Sequence, residues 1–293
     1  MFLERMGKGI RQPTRDAMLS YATKEMGRGW GYGINETMDQ IGALTGPLLM
    51  ALVLGLGMAG GLGPLPGYQT ALRFLFIPAV CAFGVLVFAR LRFPRPRELE
   101  SRTPKVGAAG LGRRYWLYVL AAGLVGAGFA DFALIAFHMK RIALVTDQWI
   151  PVLFATGALA RIAVALYFGK LYDRNRFAAI FITFGLSSVF APFVFLGSLP
   201  LVVVGVVLWA IGLTAQGSIM RAALADVVPT DRRAYGFGLF SLAFGVFWFA
   251  GSALMGFLYD QNVMLVVVFS TAVSLLALPV FWLAKQAPEP VTG

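Results

Sequence analysis

Charge, cysteine and histidine are what this chain has little of. Only 13% of its 293 residues are charged and 58% are apolar, whereas an ordinary soluble domain is about 25% charged and about 45–50% apolar. That balance excludes a water-soluble fold of one or two domains, and equally a disordered chain. A single cysteine, Cys81, excludes a disulfide scaffold. With one histidine, His138, on a different apolar stretch, a zinc site or a Cys/His nucleophile is excluded as well. No acid/base pair stands beside a nucleophile, so the chain does not read as an enzyme. No Gly-x-x-x-x-Gly-Lys-[Ser/Thr] run occurs. The short runs GKGIR and GYG lack the strand–turn–helix setting of a phosphate loop. Neither a nucleotide nor any other cofactor is expected.

What is there is a series of long apolar runs. A membrane helix needs about 20 mostly apolar residues, and eight stretches qualify, near 34–56, 70–90, 115–138, 149–168, 178–197, 200–225, 236–258 and 263–284. Backbone groups in lipid must bond internally, so these stretches are expected to be helices of an all-α polytopic membrane protein. The opening MFLERMGKGIRQPTRD is too polar for the apolar core of a cleavable signal.

The formal charge of +11 at first suggests nucleic acid, but the basic residues are spread as topology signals. With the N-terminus placed inside, residues 1–33 and the segments 91–114, 169–177, 226–235 and the tail hold nineteen Lys and Arg. The opposite loops hold only Lys140 and Arg141. This asymmetry predicts both termini in the cytoplasm, in the plasma membrane, with no nucleic-acid partner. An anionic lipid surface would also attract these loops. Segment 91–114 is the one long polar interruption and reads as a linker.

The chain also repeats itself. Residues 15–49 align with 221–254, so that Arg15 meets Arg221, Gly31-Tyr32-Gly33 meets Gly236-Phe237-Gly238, and Gly46 meets Gly251. Each copy is a helix end, a charged turn and a glycine-bearing outgoing helix. Both enter from the same side, the sign of a parallel repeat about an axis along the membrane normal.

Three segments carry a specific resemblance. ERMGKGIRQPTRDAML resembles the fourth-helix signature of major facilitator permeases. GKLYDRNRF resembles that family's loop motif Gly-x-Leu-x-Asp-Arg-x-Gly-Arg, matching at Gly169, Leu171, Asp173 and Arg174 without the later glycine. GALTGPLL resembles the fifth-helix motif of its exporters at Gly42, Gly46 and Pro47, with Leu49 and Met50 in place of small residues. The resemblance implies the family's twelve helices in two six-helix lobes. The chain would then begin inside helix four, from Met1 as an internal methionine or in a truncated gene. Residues 1–90 would be the end of the first lobe, 91–114 a cytoplasmic linker and 115–293 a complete second lobe. It also implies an inner gate, in which Asp173 sits against a helix N-terminus of the other lobe; the alternative is a plain charged turn that only sets topology. By the pseudo-symmetry the gate partner of Asp173 is the start of the span at 34, with Arg28 nearby. Gly169, Arg174, Arg15, Asp16, Arg221 and Asp226 would belong to the same charge network.

Ionisable groups inside spans are the remaining candidates. Glu36 and Asp39, at i and i+3, are either coupling carboxylates or the acids of a hydrated helix start. Asp131 lies well inside the third span, as a proton or cation site or as a packing partner. His138, two turns on, reads as an interfacial histidine or a relay. Arg161, central in the span 149–168, needs a carboxylate, a cavity or a long snorkel; an anionic substrate group or a structural pair with Asp131 would serve. Gly42 and Gly46 form a small-xxx-small face before Pro47, for helix packing or a seal. Trp209, Phe247, Trp248 and Phe249 either pack or line a cavity, and Gln216 and Ser218 are polar within a span. Together these imply a secondary transporter of a small molecule, exporting it against proton entry by alternating access. The alternatives are a proton-coupled importer, and a truncated or partner membrane protein that does not transport.

Overall fold

The computed structural model describes residues 2–60, 64–92, 111–145 and 149–288, and every regular element among them is helical. In chain order these are α1 (Phe2–Ala22), α2 (Arg28–Ala59), α3 (Pro64–Arg92), α4 (Arg113–Gly128), α5 (Phe132–Arg141), α6 (Trp149–Arg174), α7 (Arg176–Ser188), α8 (Phe190–Leu196), α9 (Leu199–Gly217), α10 (Ile219–Val227), α11 (Arg233–Gln261) and α12 (Val263–Gln286). Seven stretches of the described residues are long and apolar enough to cross a membrane. The eighth expected span, 34–56, falls within the 32 residues of α2. Most of the linker expected at 91–114 lies outside the described residues.

The chain divides into two compact units. One comprises Met1–Thr37 with Glu100–Gly293, the other Met38–Leu99. The smaller unit carries the rest of α2 and α3, whose Phe74, Phe76, Leu86 and Phe88 are all exposed, as a lipid-facing surface requires. In the larger unit α4 is central and packs on α11 and α12. Small residues make this possible. A Cβ on Gly251 would strike the backbone of Ala127, and one on Gly128 would come within 3.0 Å of the Ser270 carbonyl.

Three of the expected spans are not continuous helices. Span 115–138 breaks at Phe129–Asp131, span 178–197 at Val189 and span 200–225 at Ser218. Each break has a local cause. Pro192 removes an amide and crowds the carbonyl four residues back, at Ser188. At the Gly217–Ser218 pair, the Ser218 hydroxyl bonds the Thr214 carbonyl at 2.9 Å. The first break follows the Gly126/Gly128 run, where helix propensity is low. The carbonyls it frees are taken up internally: Ser270 Oγ donates to Gly128 O at 2.6 Å and Trp209 Nε1 to Ala130 O at 2.9 Å. Irregular backbone at membrane depth persists only under such cover.

The feature that positions the functional residues is an antiparallel crossing of α2 and α6. Gly29 and Gly33 meet Gly169 and Ala165 backbone to backbone. A Cβ on Gly169 would lie 2.6 Å from the Gly29 carbonyl, and one on Gly33 2.6 Å from the Ala165 carbonyl. Close approach through small residues four apart is the membrane form of helix packing. Gly169→Val should therefore force the helices apart and lower stability by about 1–3 kcal/mol, the usual cost of overpacking. A thermal melt in detergent would show a clear downward shift, while an unchanged melt would mean that the crossing is not tightly packed.

Candidate functional site

The crossing sets the register of every charged contact around it. At its Lys/Arg-rich end, Asp173 follows Gly169 by one turn and reaches the first turn of α2. Its carboxylate accepts from the Gly29 and Trp30 amides, at 2.8 Å each. Those amides have no partner within the helix, and the helix dipole makes this end positive. Because Asp173 is itself exposed, the dipole term is worth only about 0.3–1 kcal/mol. Gly27, just before α2, has a φ of +98° and a Cβ there would collide with the Asp173 carboxylate. Lys170 lies over the Trp30 ring at 4.5 Å.

Two more carboxylates complete this end. Asp226 pairs with Arg28, which also donates to the Ala225 carbonyl at 3.1 Å. It also accepts from Tyr172 Oη at 2.8 Å and pairs with Arg176 at 3.2 Å. Asp16, only 2% exposed, pairs with Arg221 at 3.2 Å and with Arg15 at 3.3 Å. The Asp16 carbonyl in turn accepts from the buried Tyr32 Oη at 2.6 Å. A cavity of about 380 Å³ opens among Lys24, Arg28, Asp173, Arg176 and Asp226. The expected network of Arg15, Asp16, Arg28, Gly169, Asp173, Arg221 and Asp226 is thus assembled in one place. Arg174 is exposed beside it with no ion pair among the described residues.

The internal repeat is visible here. Gly31 lies against Thr23 of the preceding turn, and Gly236 lies against Val228 of its own. Arg28 and its repeat partner Arg233 both donate to the Ala225 carbonyl. Sequence reading missed Tyr172, Tyr32 and Arg176. Arg176 stands where the loop motif has its later glycine, and Asn175 Oδ1 caps α7 through the Ala178 amide at 3.1 Å. The signal for Arg176 was present as a departure from the motif, not as a match.

Two turns deeper along the same crossing, Glu36 pairs with Arg161. Glu36 is 5% exposed, so it is not the hydrated helix start offered as one alternative. Arg161 finds Glu36 rather than Asp131. Gly217 abuts the Glu36 carboxylate, and next to it both amide atoms of Gln216 are buried without a hydrogen-bond partner among the described residues, as is Arg161 Nε. Asp39, one turn beyond Glu36, is exposed and belongs to the smaller unit, so its position at i+3 does not give it the same surroundings.

The other candidates are dispersed. Asp131 is exposed at the break before α5 and accepts from Trp248 Nε1 and Ser252 Oγ, both at 3.2 Å. His138 is buried, with Nδ1 2.8 Å from the Tyr259 hydroxyl. Ser218 is committed to backbone. Trp209 is buried, Phe247 packs on Gly123, and Phe249 is exposed. No described atom lies within 4 Å of a Cβ built on Gly42 or Gly46. Among the described residues, close small-residue packing is seen at Gly29 and Gly33. Pro47 continues the helical backbone of α2.

With this geometry in hand, comparison with known proteins gives a consistent result. Residues 132–293 match the family model of the Major Facilitator Superfamily. An uncharacterised protein of Mycobacterium tuberculosis is 33% identical over 98% of this chain and 70% of its own length. An uncharacterised transporter of the same superfamily type from Methanocaldococcus jannaschii is 24% identical over 94% of this chain and 68% of its own. The crystal structure of a bacterial homologue of the iron transporter ferroportin, in an outward-facing state, superposes with a TM-score of 0.66 at 16% identity. That match covers 88% of this chain and 64% of that one, and it shows the fold alone.

The three carboxylates differ in burial, so they should differ in weight. Asp226→Asn leaves the half-buried Arg28 without its charge partner, a loss on the order of 1–3 kcal/mol, whereas Asp173→Asn removes a solvent-screened contact. In a Cys81→Ser background, Ser20→Cys places a thiol at a fully buried position on α1. Its labelling by a membrane-impermeant maleimide should speed up at least tenfold in Asp226→Asn and only a few-fold in Asp173→Asn. The reverse ranking would show that the helix-end contact, not the buried pair, holds this end together.

Proposed function

Because the chain belongs to the major facilitator superfamily, we propose that it acts as a proton-coupled secondary transporter that exports a small molecule by alternating access. In this reading residues 1–90 end a first lobe and 115–293 form a complete second lobe. The Lys/Arg-rich end is cytoplasmic and the chain sits in the plasma membrane. The network of Asp173, Asp226 and Asp16 is the inner gate.

One observation carries the reading: the Glu36–Arg161 pair lies behind the gate on the same helix crossing. A buried pair is held by mutual charge, and removing the charge of one partner leaves the other uncompensated, at a cost of about 3–5 kcal/mol. Protonation of Glu36 removes that charge reversibly. The crossing of α2 and α6 would then lose its deep anchor while its gate contacts must still open. A proton entering from the outside and a substrate leaving from the inside are thereby tied to one event, through a differential interaction of each with the two states. The unpaired amide of Gln216 beside Glu36 provides a hydrogen-bonding group for a proton-carrying water.

Everted membrane vesicles from cells overproducing the full chain provide the test. A panel of labelled amphiphilic cations, neutral compounds and anions would be offered under an imposed pH gradient, acid inside. At least one compound should accumulate over control vesicles, and a protonophore should abolish that accumulation. Glu36→Gln should reduce gradient-driven accumulation at least tenfold while retaining gradient-free exchange of the same compound. Accumulation indifferent to the protonophore would remove the proton from the mechanism. No accumulation across the panel would favour a membrane protein that does not transport.

A further inference from the structure

The break between α4 and α5 holds a carboxylate that neither the gate nor the Glu36–Arg161 pair explains. Asp131 occupies the N-cap position of α5, with extended backbone. An Asp there ordinarily accepts from the amides of the first turn, but this side chain makes no capping bond. It turns instead to α11, where Oδ2 takes Trp248 Nε1 and Ser252 Oγ at 3.2 Å each. Both bonds are long for a charged acceptor, which usually draws its donors to about 2.7–2.9 Å. No Lys or Arg pairs with Asp131 among the described residues, and the residue is exposed. An uncompensated carboxylate deep in a membrane span is not tolerated against lipid and faces a cavity or a partner.

The surroundings are aromatic. Phe129 lies 6.0 Å from Trp248 and 6.1 Å from Trp209, ring to ring. Phe132 lies 5.6 Å from Trp209 and 4.9 Å from Phe154. Trp248 and Phe132 are half-buried and Phe154 is exposed, so their surfaces remain accessible next to the carboxylate. The carbonyls of Gly128 and Ala130, which could have faced a small hard ion, already accept from Ser270 and Trp209.

We propose that this break is a binding site for an organic cation of the ammonium or phosphonium kind, with its charge on Asp131 and its apolar groups against Trp248, Phe132 and Phe154. The donor set decides the class. A divalent metal asks for several hard oxygen or nitrogen ligands, and among the described residues only one carboxylate is present, in aromatic surroundings. An anion would meet the negative charge directly. A soft, weakly hydrated cation gains from both the carboxylate and the ring faces. The inference deepens the transporter reading and rests on it, since it assigns that transporter's substrate class.

Binding can be measured apart from transport. The probe is tetraphenylphosphonium, titrated against the full chain purified in detergent and followed by equilibrium dialysis. Saturable binding is expected. It should weaken at least tenfold in Asp131→Asn and only a few-fold in Asp131→Glu. Asn retains an oxygen for Trp248 and Ser252, so the fold should survive, and the thermal melt of each variant checks this. Trp248→Leu should weaken binding with Asp131 intact. Triphenylphosphine oxide, neutral and of similar bulk, should not displace the probe, and neither should Mn²⁺. Binding unchanged in Asp131→Asn, displacement by Mn²⁺, or no saturable binding would each overturn the site. Binding through Asp131 without uptake of the probe into vesicles would leave the site standing and count against transport. Uptake at equal rates in wild type and Asp131→Asn would leave transport standing and overturn the site.

Discussion

The antiparallel crossing of α2 and α6 is the constraint on which the rest of the larger unit depends. Two glycines on α2 and the Ala165/Gly169 pair on α6 bring the backbones into contact. Once Gly29 lies on Gly169 and Gly33 on Ala165, the helical repeat leaves no freedom for what comes next along either helix. Toward the Lys/Arg-rich end, Asp173 arrives at the free amides of α2. Toward the membrane interior, Glu36 arrives at Arg161. The Asp173 contact and the buried pair are two ends of one register, so a force that shifts the crossing acts on both.

The low dielectric of the membrane explains why ionisable groups are so few. Asp16 is buried between two arginines, and Asp226 between two arginines and a tyrosine. Even at the break before α5, the Gly128 and Ala130 carbonyls accept from side chains of two other helices. Against that background, groups left over carry information. Gln216 beside the Glu36 pair and Asp131 beside an aromatic wall are such groups, and each stands where a helix is interrupted. Interrupted helices are where membrane transporters place their sites, because only there does a span offer directed polar groups to a cavity.

Several of these features were legible in the residues before any coordinates. The pairing of Arg15 with Arg221 in the internal repeat placed two arginines at equivalent turns, and the structure puts both on Asp16. The loop motif pointed Asp173 at the start of the span near 34, which is where its carboxylate binds. Other features were not legible. Hydropathy cannot tell Gly29/Gly33 from Gly42/Gly46, because both are small residues four apart in one helix. Which pair packs depends on what lies opposite. In the same way Arg161 announced a need for a carboxylate without naming it, since Glu36 is 125 residues away in the chain.

The sequence by itself determined the all-helical membrane class, the spans and the family, because these follow from composition, apolar run length and local motifs, each a property of contiguous residues. Only the tertiary structure decided that three spans are broken, that Glu36 is buried and answers Arg161, that His138 is buried on Tyr259, and that Asp131 has no counter-charge among the described residues. Those outcomes depend on the register between helices far apart in the chain, and register is fixed by shape at the crossings, not by hydrophobicity along them.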